Sequence, residues 1–235
     1  MRAHSELEHN PQDSLKSSEH FSHLSPAAVK DFDAMAISAS YPGGAVLFME
    51  KQDVRGIFLV ISGSVKLSVS SSCGKTLILR IAKPGEILGL MSALSGSPYE
   101  VTAEVLHACR VAFVPRRQFL EYAAKHPEAY RGVVNQLGAL YSGVCEQLRT
   151  VGLSNTVPEK VARLLLDLSS GGRPGQGGAK FTLPLTHEEI AEFIGSSRES
   201  VTRTLSDFRG RAFIHLHGAT MTIANRPALE SMAGA

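Results

Sequence analysis

Arg198, Glu199, Thr202 and Arg203 lie within the stretch Leu185 to Arg209, LTHEEIAEFIGSSRESVTRTLSDFR, at spacings that put all four on one side of a helix. Val201, Leu205 and Phe208 recur on the other side and would bury it. A guanidinium matches the O6 and N7 acceptors of guanine with two parallel hydrogen bonds, and a carboxylate accepts from the amino group of cytosine. The exposed set therefore suits the edges of bases in a major groove. A solvated charged face on an ordinary amphipathic helix pair is the bland alternative, and the string Gly-Ser-Ser-Arg-Glu-Ser-Val-Thr-Arg weighs against it. Catalysis needs other groupings. The sequence holds no nucleophile–base–acid constellation, no HExxH and no closely spaced metal ligands, so neither catalytic residues nor a metal is expected.

Those side chains need a scaffold, and the preceding residues supply its signals. Thr186 sits at an N-cap position with Glu189 as its capping-box partner, and Ile190, Ala191 and Ile194 give a first short helix its apolar face. Gly195 follows the last periodic residue, where a positive φ lets the chain leave one helix and enter the next, with Ser196 or Ser197 as cap. From Ser196 to Arg226, five arginines (198, 203, 209, 211 and 226) face two acids, Glu199 and Asp207, a local excess of three positive charges. A short basic zone of this kind suits phosphate contact.

Residues 186–206 resemble the helix-turn-helix of the CRP/FNR family, the bacterial cyclic-AMP receptor protein and its relatives. In the cyclic-AMP receptor branch the recognition helix begins Ser-Arg-Glu and continues to Val-x-Arg; here the run is Ser197-Arg198-Glu199-Ser200-Val201-Thr202-Arg203. The resemblance implies double-stranded DNA as partner, Arg198 and Arg203 on guanines, Glu199 on cytosine, and a half-site similar to TGTGA. It also implies supporting or phosphate contacts from Thr186, Ser197, Ser200, Thr202, Arg209 and Arg211, and RNA polymerase as a further partner.

At 235 residues the chain suits one large or two modest domains. Cys73, Cys109 and Cys145 lie far apart with no CxxC spacing, which argues for a reducing compartment and against disulfides or a zinc module. No apolar run approaches a membrane span and residues 1–23 lack a signal-peptide core, so a cytoplasmic protein without membrane partners is expected. Residues 1–24 read as a mobile tail. Ser25-Pro26 opens a short helix with Val29, Phe32 and Ala36 on one side. From Tyr41 the texture is that of strands: 45–49, 56–61, 65–69, 76–81, 101–105 and 109–114, separated by Gly, Pro and Ser turns. Phe58-Leu59-Val60-Ile61-Ser62-Gly63-Ser64-Val65-Lys66-Leu67 resembles the paired strands of the cyclic-nucleotide-binding β-roll. The expected fold class is α+β: a jelly-roll sensor over 25–126, a long dimerisation helix over 127–152, and a winged helix-turn-helix over 153–235.

Within that β-roll, Pro84 to Ala103 corresponds to the phosphate-binding cassette, where backbone N–H groups and one arginine neutralise a cyclic phosphate and a glutamate accepts from the ribose. The nucleotide-binding form carries Gly-Glu-Leu and then Arg-Ser-Ala or Arg-Thr-Ala. This chain has Gly89-Leu90-Met91 and then Tyr99-Glu100-Val101-Thr102-Ala103, with no arginine from Gly85 to Ala108. Glu100 would set a negative charge against a phosphate. Cyclic AMP is therefore disfavoured and no cofactor is assigned. Gly85, Glu86, Gly89, Leu90, Tyr99, Glu100 and Thr102 are either the pocket of a different effector or a closed core edge around a buried tyrosine; haem on His107 or His126 is a third reading.

Arg116 to Lys125 reads as a short helix and His126-Pro127 opens a longer one, in which Val133, Leu137, Leu140, Tyr141, Val144 and Leu148 form a broad apolar seam. Part of that seam would pack on the β-roll, and the resemblance implies a parallel homodimer along the rest, hence an inverted-repeat operator. Residues 155–158 read as a hinge, 157–168 as a helix, the glycine-rich 169–179 as a flexible turn, and 213–217 with 220–223 as a hairpin wing. The main functional rival is an effector-binding adaptor whose helix-turn-helix contacts protein.

Overall fold

The computed structural model describes residues 11–153, 156–169, 173–175, 178–218 and 220–234. Residues up to Val69 with Leu79–Gly143 form one compact unit; Ser70–Ile78 with the residues from Val144 onward form a second.

The first unit contains α1 (Pro11–Ser17), α2 (Pro26–Met35), β1 (Ile37–Tyr41), β2 (Val46–Phe48), β3 (Gly56–Ser62), β4 (Val65–Ser70) up to Val69, β5 (Thr76–Ala82) from Leu79, β6 (Ile87–Leu88), α3 (Leu90–Ser95), β7 (Thr102–Val105), β8 (Cys109–Pro115) and α4 (Arg116–Lys125). It ends in α5 (Glu128–Leu153), whose last turns belong to the second unit. One sheet runs β1-β8-β3-β6 and the other β2-β7-β4-β5. β3 explains the layering. Its odd residues Ile57, Leu59 and Ile61 pack with Leu15, Phe32, Phe119 and Val133 from the helices. Its even residues Phe58 and Val60 pack with Phe48, Leu67, Tyr99 and Val111 between the sheets. A strand buried on both faces reads as a continuous apolar run, and Gly56–Ser62 does.

Two strands that the sequence does not mark are present, β1 ahead of the expected strand region and β6 within the cassette segment. The expected mobile tail is also corrected over its described part. Leu15 and Phe21 are buried, Ser18 donates from its hydroxyl to the Gly85 carbonyl at 2.7 Å, and a Cβ on Gly132 would meet the Phe21 ring at 2.4 Å. Two large apolar side chains with a place to bury hold the segment. Residues 1–10 lie outside the described ones.

Gln136, fully buried on α5, grips β6 with both ends of its amide: Oε1 accepts from Ile87 N at 3.0 Å and Nε2 donates to Ile87 O at 2.6 Å. A two-residue strand would otherwise leave these backbone groups unpaired on that side.

The second unit contains the end of α5, α6 (Val157–Ser169), β9 (Arg173–Gly175), β10 (Gly178–Thr182), α7 (His187–Ile194), α8 (Arg198–Gly210), β11 (Ile214–His217), β12 (Thr220–Ile223) and α9 (Arg226–Met232). The wing sheet runs β11-β12-β10-β9. The glycine-rich segment 169–179, expected as a flexible turn, thus supplies β9 and the start of β10, with Ala179 to Thr182 paired on Ile223 to Thr220. β10 has a partner strand, and pairing overrides low propensity. α9, not expected from the sequence, is capped by the Asn225 side chain on Ala228 N, with Pro227 in its first turn. The expected hinge falls partly on Ser154 and Asn155, outside the described residues; Val157 and Pro158 already belong to α6.

Candidate nucleic-acid interface

α7 begins as its sequence dictates. The Thr186 hydroxyl accepts from Glu189 N at 3.2 Å while the Glu189 carboxylate accepts from Thr186 N at 2.9 Å, the reciprocal capping box. Gly195 ends the helix at φ 63°, and a Cβ there would sit 3.1 Å from Val151, so the turn needs glycine for conformation and for space. Ser197 then caps α8 by accepting from Ser200 N at 3.3 Å. Val201, Leu205 and Phe208 are buried, whereas Arg198, Glu199, Thr202 and Arg203 are exposed together on the other side. The four are brought together on one face, as expected.

Their surroundings are electrostatically ordered. Glu199 is held below the usual carboxylate range by its own backbone N–H, by the Ser197 hydroxyl and by the positive charges of Arg198 and Arg203. It stays an acceptor, which a cytosine amino group requires. The Thr202 hydroxyl donates to Arg198 O at 2.9 Å, so its oxygen is left to accept from His187 Nδ1, 2.9 Å away. His187, on the first turn of α7, thereby ties the two helices on their exposed side. Nothing in the sequence pattern singled it out; only the fifteen-residue approach to Thr202 does.

The arginines expected to support the contact differ in their surroundings. Arg209 is exposed. Arg211 lies over the Phe213 ring at 4.4 Å and 3.5 Å from Asp207, and Arg226 pairs with Glu230 at 2.8 Å. Behind the interface, Gln147 of α5 donates to the carbonyls of Phe193, at the end of α7, and Ile78.

The residues assigned to an effector pocket divide. Leu90 is buried in the core shared with the helices, Tyr99 in the core between the sheets. Glu86 is paired with Arg80 and also accepts from Lys83 N at 2.9 Å. Gly85 packs on Ser18, and Gly89 carries φ 77° with the Tyr99 ring where a Cβ would be. Glu100 accepts from the Ser92 hydroxyl at 2.7 Å, and Thr102 accepts from Glu50 N at 3.1 Å. Two arginines that the cassette sequence itself lacks flank it: Arg80 on Glu86, and Arg116, donating to Ala93 O at 2.8 Å. His107 is exposed beside the Leu106 carbonyl, while His126 is buried and bonded to Asp31 at 2.8 Å.

Along α5 the seam splits by face. Val133 and Leu137 pack into the first unit's own core. Leu140 and Val144 are half-buried, whereas Val134, Tyr141 and Leu148 are exposed by 66%, 74% and 63%. No helix among the described residues is long and apolar enough to cross a membrane.

Comparison with known proteins gives two domain matches: a cyclic nucleotide-binding domain over residues 38–126 and a Crp-like helix-turn-helix domain over 159–232. The chain is 28% identical over 214 residues to a CRP-like cAMP-activated global transcriptional regulator of Mycobacterium tuberculosis, covering 91% of this chain and 95% of that protein. It is 28% identical over 194 residues to the global nitrogen regulator of Synechococcus elongatus, covering 80% and 85%. Its fold matches that of FixK2 from Bradyrhizobium japonicum with a TM-score of 0.75 at 22% identity, over 85% of this chain and 98% of the other.

Proposed function

Because the chain belongs to the CRP/FNR family of DNA-binding transcription regulators, we propose that it acts in the cytoplasm as a homodimer that reads an inverted repeat of TGTGA-like half-sites under an effector other than cyclic AMP. The observation that carries the reading is the face shared by Arg198, Glu199 and Arg203 on the exposed side of a capped α8. Arginines on guanine and glutamate on cytosine are the pairings such a half-site offers. Arg209, the Thr186 and Ser197 caps, Ser200 and Thr202 support the contact around them, with Arg211 held nearer the wing.

The dimer is supported by α5. Val134, Tyr141 and Leu148 stand at seven-residue steps, with Tyr130 and Leu153 also exposed, the spacing of a coiled-coil seam. Leu140 and Val144, half-buried, border that stripe; Val133 and Leu137 pack into their own domain. Two protomers paired along it present recognition helices about one DNA turn apart. RNA polymerase is the further partner proposed.

The effector reading rests on the cassette. Leu90 stands where a ribose acceptor belongs and is buried in the apolar core, and Glu100 is already bonded to Ser92. Fluorescence anisotropy with a duplex carrying the inverted repeat tests the DNA claim: two protomers per duplex with preference over a scrambled duplex is the expected result, and equal affinity for both contradicts it. Titration with cyclic AMP is expected to give no heat, and a saturable micromolar response would overturn the effector claim.

A further inference from the structure

The edge strands β1 and β2 part at one side of the β-roll and leave a crevice of about 300 Å³ between the sheets. That volume is at the lower end of what small-molecule sites use. Rings make its floor: Phe48 stacks on Tyr99 with centroids 4.0 Å apart, Phe58 lies 5.5 Å from Phe48, and Phe113 lies 4.9 Å from Phe58. The floor is fixed in place. The Tyr99 hydroxyl donates to Gly56 O at 2.7 Å and accepts from Gly56 N at 3.2 Å, so it offers a visitor only its ring. Gly56 admits Phe113, whose ring lies 2.7 Å from where a Cβ would stand, and Gly89 admits Tyr99 in the same way at 2.8 Å. The mouth is apolar on the β1 side, where Ile37 faces the crevice while 62% exposed.

Gln52 and Arg55 close the other side. Gln52 accepts from Met49 N at 3.1 Å and is committed to its loop. Arg55 joins its neighbours through its backbone N and O, and its guanidinium has no hydrogen bond or ion pair among the described residues. An exposed arginine is ordinary; one set at the rim of an aromatic slot is a fork of donors above a flat apolar floor.

We propose that this crevice binds a small aryl carboxylate, its ring against Phe48, Phe58 and Phe113 and its carboxylate on the Arg55 guanidinium. Planar rings meet aromatic walls in stacked or edge-on contact, and guanidinium meets carboxylate through two parallel hydrogen bonds. A neutral amide of the same shape loses the charge; an aliphatic ammonium meets repulsion. The crevice shares only Tyr99 with the residues of the phosphate-binding cassette. It is the effector site of the proposed regulator and rests on that reading for its purpose, while binding itself is read on the protein alone.

The test uses the whole 235-residue chain without DNA. Phenylacetate, phenylacetamide and phenethylamine are titrated by ligand-observed NMR against wild type, Arg55→Gln and Ala39→Phe, the last placing a ring in the crevice from β1. Phenylacetate is expected to bind about tenfold more tightly than the amide, the value of one charge-assisted contact of about 1.4 kcal/mol. Arg55→Gln should erase that preference, and Ala39→Phe should abolish binding of both. Circular dichroism melts confirm that the variants fold; should Ala39→Phe fail to, Arg55→Gln decides alone. No saturable binding of phenylacetate, or a preference unchanged in Arg55→Gln, overturns the site. A protein that binds operator DNA but no carboxylate overturns the crevice alone, and one that binds carboxylate but no DNA overturns the regulator reading alone.

Discussion

Arg203 reaches Ser200 Oγ at 3.5 Å, the outer limit of a hydrogen bond, and is exposed, so little must be broken for it to turn onto a base. Arg203→Ala should weaken specific binding by about 1–3 kcal/mol and relax selection at one guanine. Equal weakening on every duplex would make it a phosphate contact instead. The thiols give a second expectation at this scale. Burial pushes Cys109 up to about 11, while Cys73 is lowered by the Ser71 hydroxyl. The thiolate is the reactive form, so at pH 8 alkylation should mark Cys73 and spare Cys109 until denaturant is added. Rapid native labelling of Cys109, read by peptide mass spectrometry, would contradict its packing.

Elements carry the positioning. Replacing Gln136 with Leu leaves both Ile87 backbone groups without their side-chain partner, so urea melts should show a loss of about 1–3 kcal/mol. Thr186→Ala removes the α7 cap and should cost about 1 kcal/mol. Unchanged midpoints in either variant would show these bonds to be replaceable by water. The elements also show what a sequence discloses. Arg116–Lys125 falls where its periodicity puts it, and α7 and α8 start at their cap residues, because caps and apolar spacing are local signals. β6 is a two-residue strand that exists through β3 and Gln136, both distant in the chain, and β9 is a three-residue Arg-Pro-Gly strand that exists only by pairing with β10, so no local pattern marks either. Leu15 and Phe21 sit among Ser, His and Glu, and only the cleft they fill makes that segment ordered. At the site, the Arg198–Glu199–Arg203 face was legible residue by residue. His187 was not, since its role depends on how two helices cross.

For the whole molecule, charge and the proposed twofold symmetry are what DNA binding would draw on. The net charge is only +2, so attraction to phosphate comes from the local excess around α8 rather than from the protein at large. Affinity should fall linearly on a log–log plot of binding against salt, and a flat plot would favour an adaptor. Tyr141→Glu places a charge in the exposed α5 stripe of both proposed protomers. Sedimentation equilibrium should then show a monomer, and a dimer that persists would move the interface elsewhere. Both properties meet in a single readout, the sequence recovered when the wild-type protein selects DNA from a random library. The expected result is an inverted repeat of two TGTGA-like halves with centres about one helical turn apart. A single asymmetric motif, a direct repeat, or no enrichment would contradict it.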